Sequence, residues 1–161
     1  MKLRVPFKML SHATPPFSVR GDNAALLLID VQRFTTMRDE GLGQVARERG
    51  ILREFEEYYA QTDAAIRNIV HLVAACREHG LRVIYSVLNA QRPDRSDLSR
   101  QLRLSGLPVP VGSPADDIHP DVQPMPEDLV LPRGTISPFA GTDLLSVLRQ
   151  ASIDALLLAG M

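Results

Sequence analysis

Ala24-Ala25-Leu26-Leu27-Leu28-Ile29-Asp30 is the stretch that decides the fold. Six apolar residues run without alternation and stop on a carboxylate. A strand with one wet face alternates apolar and polar side chains. An unbroken run needs cover on both faces, which is the situation of a strand in a parallel sheet. A short buried helix would show the same run. Gly21-Asp22-Asn23 before it and the abrupt polar stop after it favour the strand.

Working outward, the text from Arg38 to Gln61 is charged and roughly helical, broken by Gly41, Gly43 and Gly50. The clearest helix follows, from about Asp63 to His79. Ile66, Ile69, Val70, Val73 and Cys76 fall on one apolar stripe at helical spacing. Gly80 sits where a C′ glycine ends a helix, and Leu81 to Leu88 reads as a second strand. Strand, helix, glycine and strand make a βαβ unit with a right-handed crossover. Asn89 to Glu127 carries Pro and Gly without a period, and a loop of that length in a compact domain commonly forms a lid or site wall. Asp128-Leu129-Val130-Leu131 reads as a third strand stopped by Pro132. Thr142 is a predicted N-cap with Asp143 in the first turn, and Leu144, Leu145 and Leu148 face inward up to about Ala151. Ala155 to Ala159 is a fourth strand, followed by Gly160 and Met161. Such an apolar strand needs cover. It leads us to expect that the native sequence continues for several tens of residues, or that another chain completes the sheet.

Composition bounds the function. A chain of 161 residues suits one domain, here spanning 1–161, with residues 1–23 as an extended lead-in. A net charge of −1 provides no electrostatic footprint for nucleic acid or an anionic membrane. Aromatic residues are only 5% of the chain and Trp is absent, which argues against base-stacking platforms. Lys2, Arg4 and Lys8 are basic, but Pro6, Pro15 and Pro16 interrupt the N-terminal text, which has no apolar core of signal-peptide length. No apolar run approaches the roughly 20 residues of a membrane span. The one thiol, Cys76, can form neither an internal disulfide nor a zinc cluster and suits a reducing compartment, so a cytoplasmic location is expected.

In open parallel sheets ligands bind outside the carboxyl ends of the strands. Asp30 ends the first strand and Arg133 lies just past the third, so a parallel sheet brings an acid and a cation to one edge. A carboxylate beside a guanidinium suits a general base or an anchor for a polar substrate. It equally suits an ion pair that closes two strand ends, and spacing leaves both open. Gly41-Leu42-Gly43-Gln44-Val45-Ala46 matches a dinucleotide fingerprint but begins several residues too late after the strand, so a helix-breaking turn is the better reading. His12, His71, His79 and His119 have no metal-ligand spacing. His119-Pro120-Asp121 with Asp116-Asp117 reads as a solvated loop, and neither metal nor cofactor is expected. Cys76, late in a helix and on its apolar stripe, reads as core packing rather than a nucleophile.

Four blocks then carry a family likeness. Leu27-Leu28-Ile29-Asp30-Val31-Gln32 with Phe34 is one, and Asn68-Ile69 with Ala75-Cys76-Arg77-Glu78-His79-Gly80-Leu81-Arg82-Val83-Ile84-Tyr85 is another. Ile118-His119-Pro120-Asp121 with Glu127-Asp128-Leu129-Val130 is the third, and Ser137-Pro138-Phe139-Ala140-Gly141-Thr142-Asp143-Leu144 the fourth. In this order, over most of Ala24 to Gly160, they resemble the isochorismatase-like cysteine hydrolase superfamily. The resemblance implies a doubly wound, three-layer α/β domain with a mainly parallel sheet, whose C-terminal part would lie beyond Met161. It implies an Asp general base, a Lys supplying positive charge and a Cys that attacks an amide carbon. Asp30 takes the Asp position, and Arg133 stands at the Lys position. Arg keeps the charge but does not readily donate a proton. The Cys would follow the fourth strand, beyond Met161.

Gln32, Phe34 and Phe139 would line the substrate pocket, and the substrate would be a small molecule with an amide, ureide or similar C–N bond. Members that open the vinyl ether of isochorismate lack the Cys, and a non-catalytic or truncated member would bind a small ligand or partner instead. The nicotinamidase branch is disfavoured, because its Asp/His metal pair has no counterpart after Leu88. Family members are commonly oligomers, so a homo-oligomer is possible on this resemblance.

Overall fold

Ala24–Ile29 (β1) lies inside a parallel sheet, between Arg82–Leu88 (β2) and Ala155–Gly160 (β4), with Leu129–Arg133 (β3) outside β2. The structure is a computed structural model and describes residues 19–161. The extended lead-in expected over residues 1–23 therefore falls mostly outside the described residues. Gly21–Asn23 form a turn into β1. All three strand pairings are parallel, with Leu26 opposite Val83 on one side and Leu157 on the other.

The helices are Arg33–Thr36 (α1), Gly41–Glu48 (α2), Glu56–Glu78 (α3), Arg100–Ser105 (α4) and Leu144–Gln150 (α5). Leu26 and Leu28 face α3, meeting Ile66, Ile69, Val73 and Cys76. Ala25 and Leu27 face α5, meeting Leu144 and Leu148. The sheet is thus the middle of three layers, and the unbroken apolar run is explained: Leu26, Leu27 and Leu28 are at most 1% exposed. Burying each contributes roughly 2 kcal/mol. β4 is covered less well, and Leu158 is 64% exposed.

Several expectations need correction. The helix placed at Asp63–His79 begins at Glu56, because Tyr59 and Thr62 continue the buried stripe of Ile66, Ile69, Val73 and Cys76 backward by two turns. Val70, on the shoulder of that stripe, is only partly buried. At its other end Gly80, with φ +72°, completes a Schellman closure: its N–H donates to Arg77 O and Leu81 N–H donates to Cys76 O. The third strand continues through Pro132 and Arg133 rather than stopping before them. β3 is an edge strand, where the missing N–H of Pro132 costs no ladder bond if it faces outward.

Residues 41–46 form most of α2 and are neither a phosphate turn nor a breaker of helix. At α5 the capping is one residue later than expected. Asp143 occupies the N-cap position without a side-chain bond, and the Thr142 hydroxyl accepts from Leu144 N at 3.2 Å. Leu145 does not face inward; it is 46% exposed, since only residues four apart, Leu144 and Leu148, share the buried face. The unpatterned Asn89–Glu127 region builds a small core of its own, with Leu98, Leu102 and Val109 packed on Phe34, Leu88 and Ala90. Among the described residues no helix is long and apolar enough to cross a membrane.

Candidate active site

The chain turns sharply where β1 ends. Asp30 has φ +57°, a left-handed conformation that Gly, Asn and Asp tolerate and bulkier residues avoid. Its backbone is held at both ends: the N–H donates to Ser86 O at 3.0 Å, and the carbonyl accepts from Gln32 N at 2.8 Å and Thr35 Oγ1 at 3.0 Å. The side chain meets Arg133 from the end of β3. Arg133 Nη2 donates to both carboxylate oxygens, at 2.6 and 2.7 Å. Asp30 and Arg133, expected at one edge of a parallel sheet, are therefore in direct contact.

The pair is largely withdrawn from water. The Arg133 side chain is 1% exposed and that of Asp30 19%. Arg133 Nη1 donates to Thr135 O at 3.2 Å, while Nε has no hydrogen-bond partner among the described residues. Two influences compete at Asp30. Burial raises its affinity for a proton above the ordinary carboxylate value, and the charge and hydrogen bonds of Arg133 pull it part of the way back. A carboxylate of raised basicity, fixed in orientation by a permanent cation, is equipped to take a proton from a neighbouring group.

Gln32 lies directly behind. It is fully buried and its amide is engaged at both ends: Oε1 accepts from Leu88 N at 2.7 Å, and Nε2 donates to Leu88 O and Asp117 Oδ2, both at 2.9 Å. Asp117 was expected in a solvated loop and is instead half-buried. Burial is the largest influence on its carboxyl, which is pushed up to about 6, with the Gln32 hydrogen bond acting the other way. The loop is held there by backbone bonds from Arg33 N to Asp117 O (2.6 Å) and from His119 N to Val31 O (3.1 Å). Neighbouring Asp116 is exposed, and His119 Nδ1 accepts from Asp121 N.

The other wall is the segment after β2. Asn89 N donates to Arg133 O at 3.1 Å, and the buried Asn89 amide meets that of Gln91 at 2.6 Å. Asp97 Oδ2 accepts from Gln91 N at 2.7 Å, and Ser99 N donates to Gly134 O at 2.6 Å. This wall touches the backbone directly after Arg133; a Cβ on Gly134 would lie 2.5 Å from Asp97 O. Phe34 is buried in the small core beneath the wall, and Phe139 is half exposed on the loop after β3.

β2 and β3 lie to one side of β1 and β4 to the other, so the chain reverses direction across the sheet between β1 and β4. A cavity of about 240 Å³ opens there, lined by Ile29, Leu158, Ala159, Gly160 and Met161. A larger cavity of about 480 Å³ lies at the opposite, amino ends of the strands, among Gly21, Leu72, Cys76, Leu81 and Leu157. It contains no carboxylate, and burial holds its one thiol, Cys76, above the ordinary thiol value and so protonated. The polar groups converge at the carboxyl ends instead.

A four-stranded parallel sheet covered by helices on both faces has counterparts in known proteins. The family profile described as "Isochorismatase domain" matches residues 24–161. The chain belongs to the isochorismatase domain family. Solved structures agree on the fold. A cysteine hydrolase from Pseudomonas syringae pv. phaseolicola aligns at TM-score 0.68 and 19% identity, covering 94% of this chain and 65% of its own. An N-carbamoylsarcosine amidase from Thermoplasma acidophilum aligns at 0.62 and 21%, covering 86% of this chain and 67% of its own. An isochorismatase family protein from Desulfovibrio vulgaris aligns at 0.63 and 25%, covering 87% and 67%. This isochorismatase domain thus spans about two-thirds of the length of the structures it matches.

Sequence reasoning placed Asp30 and Arg133 but missed Asp117 and Asn89. Asn89 could have been found by strand-end position, since it follows β2 as Asp30 follows β1. Asp117 carries no such signal. Its role depends on a loop folding back beside Val31–Arg33.

Proposed function

We propose that the isochorismatase domain serves a hydrolase acting on a small molecule with an amide, ureide or similar C–N bond, with Asp30 as general base and Arg133 as its electrostatic partner. The observation that carries the reading is the contact of Arg133 Nη2 with both oxygens of a conformationally constrained, partly desolvated Asp30 at the ligand-binding edge of the sheet. Asp30 would accept the proton of the attacking nucleophile. The nucleophile bonds to the carbonyl carbon, the C–N bond breaks, and the proton returns from Asp30 to the leaving nitrogen. Where the nucleophile is a thiol, water then attacks the acyl carbon, giving a proton to Asp30, and the C–S bond breaks to release the acid and return the thiol. Arg133 stays charged throughout; it orients the carboxylate and cannot take Asp30's place as proton carrier.

The substrate class comes from the resemblance, and the amidase from Thermoplasma acidophilum bears a name of the same class. Cys76 does not fit the nucleophile's place, being buried on α3 away from the strand carboxyl ends. A thiol nucleophile would have to come from outside residues 1–161. Gln32 and Phe34 would shape the pocket from behind, and Phe139 would flank its mouth.

One observation favours a second reading. Arg133 occupies both oxygens of Asp30, as a purely structural or ligand-anchoring ion pair would. Ammonia release from a panel of amides and ureides decides between them. The catalytic reading expects Asp30→Asn to lose about 10²–10⁴-fold in turnover per folded molecule on any substrate the parent hydrolyses. Turnover within a few-fold of the parent would leave the structural pair.

A further inference from the structure

The end of β1 is fastened from two sides, and one of its fastenings runs through a half-buried carboxylate outside the Asp30–Arg133 pair. Gln32 bonds the N–H and the C=O of Leu88 at once, which ties the turn after Asp30 to the last residue of β2. Only one orientation of the Gln32 amide satisfies this arrangement, oxygen toward Leu88 N and nitrogen toward Leu88 O. A free amide could rotate out of it. The remaining proton of Nε2 goes to Asp117 Oδ2, an acceptor that takes a hydrogen bond only from the nitrogen end. Asp117 thereby adds a third bond that holds the Gln32 amide in the orientation the Leu88 bonds require. The carboxylate is held in its turn by the Arg33 and His119 backbone bonds that dock its loop. Gln32 N donates to Asp30 O, so the turn that holds Asp30 at φ +57° and the clamp on β2 share one residue.

We propose that Asp117 is a positioning residue for Asp30, acting through the Gln32 amide to hold the strand-end carboxylate in register with Arg133. It touches neither the reacting carboxylate nor Arg133. Two other features agree with this. A carboxyl buried deeply enough to be pushed up to about 6 is costly to keep on a loop, and it is kept where Gln32 is its side-chain donor among the described residues. The charged neighbours of Asp117, Arg33 and Glu40, are hydrogen-bonded to each other by two contacts, and the other donor to the Asp117 carboxylate is the backbone N–H of Phe34, on the same turn as Gln32.

The inference rests on the proposed function only in taking Asp30 as the group that matters. Its test reads the titration of Asp30 and not turnover, so the two can fail separately. The experiment is a carbon-13 NMR titration of the aspartate carboxyls in the 161-residue chain, with Asp30 assigned by Asp30→Asn. Asp117→Leu and Asp117→Asn both remove the charge, but only Asn keeps an oxygen for Gln32 Nε2. Asp117→Leu is expected to release the clamp, admit water at Asp30 and move its midpoint toward the ordinary carboxylate value by about half a pH unit or more. Asp117→Asn should stay within about 0.2 units of the parent. Equal shifts in both variants would mean that charge alone is felt at Asp30, and no shift in either would mean no coupling. Either result overturns the proposal. Should Asp117→Leu fail to fold, Asp117→Ala makes the same comparison with a side chain that cannot overfill the site.

Discussion

At residue scale, Asp30 combines two constraints that few side chains satisfy together. Its backbone lies in the left-handed region, and its carboxylate is the counter-charge of a guanidinium that is 1% exposed. Asn is the informative replacement because it accepts the backbone conformation and removes only the charge. The burial of Arg133 changes what that experiment measures. Asn leaves a buried cation with a neutral partner, so Asp30→Asn is expected to lower stability by about 2 kcal/mol whether or not Asp30 is catalytic. Urea unfolding checks this, and turnover must be normalised to folded protein. Arg133→Lys tests the partner. Lys restores the residue that the resemblance expects, so a catalytic site should keep or gain activity, while the bond to Thr135 O is lost. Cys76 is the opposite case, a residue explained by packing alone. It is 4% exposed on the α3 face of the core. Thiol reagents should modify it slowly in the native chain, and Cys76→Ala should cost about 1 kcal/mol through lost packing. Rapid native labelling accompanied by loss of activity would refute that.

At the scale of elements, legibility followed periodicity. β1 was legible because continuous apolarity has few explanations, and α3 because its stripe repeats. The start of α3 was missed for a physical reason: Tyr59 and Thr62 continue the stripe with hydroxyl-bearing side chains that an apolar count passes over. The end of β3 was missed because Pro132 signals a stop in a central strand and not in an edge strand. The Asn89–Glu127 wall was illegible because little in it repeats. Its order comes from the short helix α4 and the small core around Leu98, Leu102 and Val109, from isolated bridges, Gln32 to Ile118 and Ala90 to Val111, and from side chains bonded to backbone. The convergence of Asp30 and Arg133 was legible from strand ends, whereas Asp117 reached the site by loop docking alone. This wall supplies its own prediction. Asp97 O lies where a Cβ of residue 134 would go, at 2.5 Å, and a backbone oxygen cannot move without its loop. Gly134→Ala is expected to destabilise the chain by about 1–3 kcal/mol and to loosen the wall beside Arg133. Faster hydrogen exchange at Ser99 N, which donates to Gly134 O, is the local readout, and unchanged exchange and stability would count against the contact.

At the scale of the whole molecule, the sheet gathers two carboxyls of raised proton affinity at one end, Asp30 and Asp117. Both shifts have burial as their largest cause, so both tie stability to pH in the same sense. Each group binds its proton more tightly folded than unfolded. Between the ordinary value and the raised one, the native state therefore holds more protons than the unfolded chain, and stability falls as pH rises. For Asp117 that window runs from 3.8 to about 6. Its favourable contribution is complete below the lower value and lost once pH passes the upper one. Other groups titrate over the same range, so the total curve does not isolate it; a difference between variants does. Asp117→Asn keeps an acceptor for Gln32 and removes the charge that is costly to bury. Above pH 6 the variant is expected to be more stable than the parent. As pH falls toward 4 the parent regains its proton and the gap closes, while the contribution of Asp30, common to both chains, cancels. Paired urea denaturations at pH 4.5, 5.5, 6.5 and 7.5 measure that gap directly. A gap that stays constant across the series, or widens on acidification, would show that Asp117 is not the half-buried, proton-hungry carboxyl of this structure.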